Sequence, residues 1–426
     1  MIATHHSGAR SFEGRHAPRR QRLDRTQSLA DGDVARLLLT VELVLSSQGS
    51  WDEVTDALLQ AKTVQPDRSS DAGLFYGAPA LTFVLDATGV QCRARWAHEL
   101  AALDQMLVDL TMERLGAAGA RAQAGAPVRG SEFDLMTGLT GLGVVLLCRA
   151  VHGSVYRDAL IRTLSGVLSY LVDRAQGRVL DGVLLPGWWA SNPPEPGPAG
   201  GSAVLGGCAH LGMARGGAGI LALLAASLRA GYTVPGHAAA IQNLVAWYSR
   251  WQQEAPNKVV WWPQRLTLEE LRTEQIHQMG PSEPTWASGT PGIGRALQMA
   301  AIALRNAPGR VAAEDAIASC LTRSQLDPMN EPDLYAGTGG MYLTVLRAAE
   351  DAERHRPVHS AGSSKLSHRV GLAADAASRT SRALPDPGDT EFLFGRFGTR
   401  LVFEALRSRA APVSAGDGVL GIGWAE

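Results

Sequence analysis

The chain has 426 residues, 45% hydrophobic and 19% charged, with a net charge of −1, the balance of a globular protein with ample core. That charge leaves no concentrated basic surface, which excludes nucleic acid as the main partner. Four cysteines, Cys92, Cys148, Cys208 and Cys320, are too few for a disulfide scaffold and form no CxxC pair for an all-cysteine metal centre.

Length alone predicts two or three domains at roughly 100–200 residues each, unless repeats close into one long architecture. No apolar run reaches the roughly 18–20 residues of a membrane span. The opening residues lack the apolar stretch of a secretory signal, so a cytoplasmic, reduced protein is expected. Six of the first 28 residues are arginine, with little apolar periodicity. A disordered basic tail is therefore predicted over 1–33, followed by a single domain over 34–426.

Amphipathic helices are predicted at 34–45, 97–115, 159–175, 238–253 and 311–321 from apolar residues at i, i+3, i+4 and i+7. Between them a glycine motif recurs six times, each copy opening a more apolar helix. The copies are Tyr76-Gly77-Ala78-Pro79-Ala80, Thr137-Gly138-Leu139-Thr140-Gly141, Arg215-Gly216-Gly217-Ala218-Gly219, Ser288-Gly289-Thr290-Pro291-Gly292, Ala336-Gly337-Thr338-Gly339-Gly340 and Phe394-Gly395-Arg396-Phe397-Gly398. The first copy carries Ala80 where the others have a second glycine. Pro193, Pro194, Pro196 and Pro198 forbid a helix after Trp188-Trp189. A polar stretch near 353–389 is expected to be mobile, with room for one helix.

Alternating outer and inner helices predict an all-α fold, an α/α toroid of six helical hairpins in a double ring. Glycine at each inner helix start lets backbones crowd at one end of the ring. The N–H groups exposed there form a shallow electropositive bowl.

The motifs Phe133-Asp134-Leu135-Met136-Thr137-Gly138-Leu139-Thr140-Gly141, Leu211-Gly212-Met213-Ala214-Arg215-Gly216-Gly217-Ala218-Gly219 and Thr285-Trp286-Ala287-Ser288-Gly289-Thr290-Pro291-Gly292-Ile293 carry a resemblance to the lanthionine synthetase C-like cyclases. Tyr335-Ala336-Gly337-Thr338-Gly339-Gly340 follows at the expected distance, and the likeness covers nearly all of 34–426. It implies cyclisation of a modified precursor peptide by cysteine addition to dehydroalanine or dehydrobutyrine, in a pathway with dehydratase, kinase or lyase partners. It also implies one zinc ion held by two cysteines and a histidine. The sequence departs from that pattern at every ligand: Ala287 and Tyr335-Ala336 replace the cysteines and their neighbouring histidine, and Arg215 replaces the ligand histidine. Glu283 stands where the family carries a basic residue. Asp134 alone survives among the family's catalytic polar residues.

Cys208 and His210 offer two donors, short of the three a catalytic zinc takes from protein; His277 is the nearest third in pattern. No cofactor is therefore expected. Thiol addition then needs a base and a cation for the enolate. Asp134 and His210 are the base candidates, Arg215 the permanent cation, and Tyr335 a proton or hydrogen-bond donor. Trp188 and Trp189 are placed at the rim, with Trp286 and Glu283 beside them as peptide contacts, and Trp261-Trp262 in the core. Two further readings stand beside this one: a non-catalytic peptide-binding scaffold subunit, and a glycoside hydrolase with Asp134 and Glu283 as paired carboxylates, which no sugar-binding pattern supports.

Overall fold

The computed structural model describes residues 24–191, 207–356, 364–381 and 391–423, without the side chains of 90–92. Helix α1 (Asp33–Leu45) pairs with α2 (Trp51–Ala61), α3 (Gly77–Ala87) with α4 (Ala97–Gln123), and α5 (Leu139–His152) with α6 (Arg157–Arg174). Likewise α7 (Gly217–Arg229) pairs with α8 (His237–Trp251), α9 (Thr290–Ala303) with α10 (Ala307–Cys320), and α11 (Thr338–Arg354) with α12 (Lys365–Ser381). Helix α13 (Arg396–Ser408) packs against α11 and α1, and α1 against α3, which closes the ring. The fold is an α/α toroid.

Burial follows the two rings. Helices α5, α7 and α9 are buried along almost their whole length, whereas α6 and α8 bury one stripe and expose the other, the amphipathic pattern of a surface helix. No described helix is long and apolar enough to cross a membrane.

Close packing accounts for the glycine pairs. Each loop curls beneath the helix it opens: a Cβ on Gly138 would collide with Asp134 N, and one on Gly141 with Leu135 O. Gly216 and Gly219, Gly289 and Gly292, and Gly337 and Gly340 meet their own loops in the same way.

Neighbouring loops are stitched into a rim. Leu135 N donates to Ala214 O, Ala214 N to Ala287 O, Ala287 N to Tyr335 O and Tyr335 N to Leu393 O, each at 3.2 Å. Leu393 N donates to Ala30 O at 3.3 Å, and Leu29 N to Phe75 O at 2.9 Å. Residues 24–33, assigned by composition to a tail, thus close the rim, and Leu29 is fully buried; the apolar side chain and its backbone bonds outweigh the local arginine content. The remainder of that tail, 1–23, lies outside the described residues, as do 192–206 with their prolines and 357–363 and 382–390 of the polar stretch.

The all-α expectation omits short strands. β1 (Arg178–Leu180) and β2 (Val183–Leu185) form a hairpin, as do β5 (Gln253–Glu254) and β6 (Val260–Trp261). β4 (Gly207–His210) lies between β3 (Ala190–Ser191) and β7 (Arg265–Thr267), antiparallel to both. The C-terminal segment packs inside the ring: Val419, Leu420 and Ile422 are fully buried. Trp286 Nε1 donates to Leu420 O and Arg295 Nε to Ile422 O, each at 2.8 Å.

Candidate functional site

Asp134 ends the short turn before α5, and its Oδ1 accepts from Thr137 N at 2.7 Å, Thr137 Oγ1 at 3.1 Å and Gly138 N at 2.9 Å. Two of the three are backbone N–H groups of the loop entering α5, the kind of donor a side-chain cap satisfies at a helix start. Burial pushes the Asp134 carboxyl above its ordinary range, although the hydrogen bonds and Arg215 pull the other way. A carboxylate poised this way is a stronger base than a solvated one.

Between this loop and the β3–β4–β7 sheet lies a cavity of about 580 Å³, whose walls include Arg129, Ser131, Asp134, Cys208, His210 and Arg215. Trp188 forms part of the wall and donates from Nε1 to His210 O at 3.1 Å. Cys208 and His210 are two residues apart on β4, so the strand's alternation puts both on one face. Their Sγ and Nε2 atoms are 3.4 Å apart. Burial, then Arg215 and Arg265, hold the His210 imidazole below its usual pKa, so it is a neutral base at pH 7.

The positions where the family resemblance implies zinc ligands lie on three adjacent rim loops, and the residues there do not fit the ion. Ala287 offers a buried methyl group. Tyr335 is taken up in an aromatic cluster, edge-on to Trp286 at 5.9 Å and tilted against Phe394 at 5.2 Å. Arg215 is a cation, and Ala336 carries no donor. Among the described residues no three His, Cys, Asp or Glu side chains gather in a metal-holding group; His277 is exposed and does not complete one with Cys208 and His210.

Of the expected residues, Asp134, His210, Arg215 and Trp188 therefore meet in one cavity. Tyr335 does not line it. Trp286 is fully buried and holds the C-terminal segment, which corrects its expected role as a peptide contact: its ring has no open face. Trp188 and Trp189 are also corrections: at 2% and 5% exposure neither lies open on the rim, Trp188 packing edge-on to Trp247 in the cavity wall and Trp189 beneath Gly207. Glu283 is exposed and away from the cavity, so the paired-carboxylate reading loses its second acid. Trp261 and Trp262 are buried, as expected. Arg129 and Ser131 join the site unforeseen, and Cys208, read in sequence only as a donor beside His210, lines the cavity with them; the Cys-x-His spacing places both on one face only once β4 is known to be a strand.

A closed double ring of helices with glycine loops gathered at one rim defines this protein's class, the α/α toroids. The family model of lanthionine synthetase C-like proteins matches residues 25–327. The chain belongs to that family. One solved structure, named nisin cyclase, superposes with a TM-score of 0.74 at 18% identity, over 94% of this chain and 93% of that one. No curated protein matches the sequence.

Proposed function

We propose that this protein is a lanthipeptide-type cyclase that closes thioether rings in a modified, ribosomally made precursor peptide without zinc. The observation that carries the reading is the meeting of Asp134, His210 and Arg215 in one cavity at the rim. The family and the likeness to a protein named nisin cyclase support it.

A substrate cysteine is mostly thiol at neutral pH, with a pKa near ~8.5. In this mechanism His210 Nε2 accepts the thiol proton, with Asp134 as the alternative base on the facing wall. The sulfur then bonds to the β-carbon of a dehydroalanine or dehydrobutyrine as the C=C π bond breaks. Negative charge collects on the substrate carbonyl oxygen, where the Arg215 guanidinium stabilises it without ever giving up its proton. The protonated base returns its proton to the α-carbon. Holding thiol and alkene together supplies much of the acceleration. Tyr335 takes no step.

In this reading the described residues from 24 onward act as one domain, in a reducing compartment where thiols stay free, and a dehydratase, kinase or lyase prepares the peptide. The test is incubation with a dehydrated precursor, counting free thiols by alkylation and mass spectrometry. Thiol loss no faster than in buffer sinks the proposal.

A second reading, a peptide-binding scaffold without catalysis, draws support from the aromatic cluster that fills the expected ligand positions. On that reading Asp134→Asn and Arg215→Met leave pathway output intact.

A further inference from the structure

Cys208 has no step in the reaction above, yet it shares the reacting cavity. It sits on the central strand of a three-stranded sheet, opposite Ala190 on β3 and Thr267 on β7. Pairing on both sides fixes its backbone, and His210 Nε2 lies 3.4 Å from its sulfur. Arg215 and Asp134 line the same space. This is the arrangement of an activated nucleophile: thiol, adjacent base and a nearby cation for the developing charge.

The other described thiols lack that setting. Cys320 is buried, donates to Ile317 O at 3.1 Å and is pushed up to about 12 by burial. Burial and then Asp86 push the Cys148 thiol higher still, and it lines a different cavity, at the far ends of the inner helices.

We propose that Cys208 is an enzyme-borne nucleophile that holds dehydroalanine residues of the peptide as a covalent thioether, with His210 as its base. The proposal rests on the reading that a dehydrated peptide enters this cavity. The Cys208 S–H bond breaks and its proton passes to His210 Nε2. The sulfur bonds to the dehydroalanine β-carbon, the π bond opens, and the enolate charge faces Arg215. His210 then protonates the α-carbon. Nothing is oxidised or reduced, and no co-reactant is needed. Removal of the α-proton by the same imidazole expels the thiolate and regenerates the alkene. Such an adduct tethers the peptide and shields an alkene from the wrong thiol.

The experiment incubates the full chain with a dehydroalanine peptide whose own cysteines are blocked by alkylation, and follows intact mass with peptide mapping. The wild type gains one peptide mass, mapped to Cys208. Cys208→Ser, nearly isosteric and checked for fold by circular dichroism, gains none, and His210→Gln adds peptide at least tenfold more slowly. No mass gain, or labelling spread over Cys92, Cys148 and Cys320, overturns the proposal. The same wild-type preparation is assayed with a cysteine-bearing dehydrated peptide. Ring closure without an adduct removes only the covalent step, and an adduct without ring closure removes only the cyclase reading.

Discussion

Asp134 and Asp333 cap two different rim loops with the same geometry. Asp134 Oδ1 accepts from Thr137 N and Gly138 N at 2.7 and 2.9 Å, and Asp333 Oδ1 from Ala336 N and Gly337 N at 2.7 and 3.0 Å. Capping is thus a repeated device of the toroid, and only Asp134 of the two also lines the cavity.

That pair separates structure from catalysis. Asparagine keeps an Oδ1 acceptor, so Asp134→Asn and Asp333→Asn should each cost no more than ~1 kcal/mol in denaturant titrations. Asp134→Asn should slow ring closure by about 100-fold if its carboxylate moves a proton, and Asp333→Asn should leave the rate unchanged. Equal rates in the two variants reduce Asp134 to a cap.

A pH–rate profile reports on His210. Burial, Arg215 and Arg265 hold its pKa below the ordinary ~6.5, so the base stays unprotonated to lower pH and the acid limb falls below 6.5. Arg265 faces His210 across the β4–β7 pair, and Arg265→Met should therefore move the limb upward. A limb that stays in place excludes His210 as the base.

Stability rests partly on a buried ion cluster between α3, α4 and α5. Arg149 bonds Asp104 at 2.8 and 2.9 Å and Asp86 at 2.8 Å, and His152 Nδ1 lies 2.6 Å from Asp86. Replacing Asp104 by Asn should cost roughly 3–5 kcal/mol, because Arg149 is left buried and under-paired. Burial alone would raise the Asp86 carboxyl, but His152 and Arg149 outweigh it and hold it low. Its contribution is then complete above the unfolded pKa of ~3.9 and lost as pH falls through the lower folded value. Urea titrations should show the gap between wild type and Asp86→Asn open at pH 7 and closing below about pH 4.

The C-terminal segment should be indispensable. Leu420→Ala or Ile422→Ala should each cost about 2–5 kcal/mol, a large share of a typical 5–15 kcal/mol total. A thermal melt of each variant checks it; unchanged midpoints contradict the observed burial.

Much of the toroid was legible because glycine collisions and helical periodicity leave local marks. Gly138 and Gly141 are needed by a loop only a few residues away, and α6 and α8 show their buried stripes in sequence. Helix α2 has no counterpart among the predicted segments, although Ser50 and Glu53 form a capping box and Val54, Ala57, Leu58 and Ala61 make a buried stripe. The site was less legible. Asp134 and Arg215 stood out by motif, but the reach of Trp286 to Leu420 spans 134 residues, and β4 is short enough that neighbouring strands, not its own residues, decide its conformation. Cys208 and His210 become partners only through that tertiary pairing.

The central claim is that the cavity accelerates thiol addition without a metal. The direct measurement is the rate of thiol consumption from a dehydrated, cysteine-bearing precursor by protein dialysed against chelator and verified metal-free, beside Arg215→Met and a no-protein control. The account predicts a rate well above the control in the metal-free wild type, reduced about 100-fold in Arg215→Met. A wild-type rate equal to the control, or one restored only by added zinc, contradicts it.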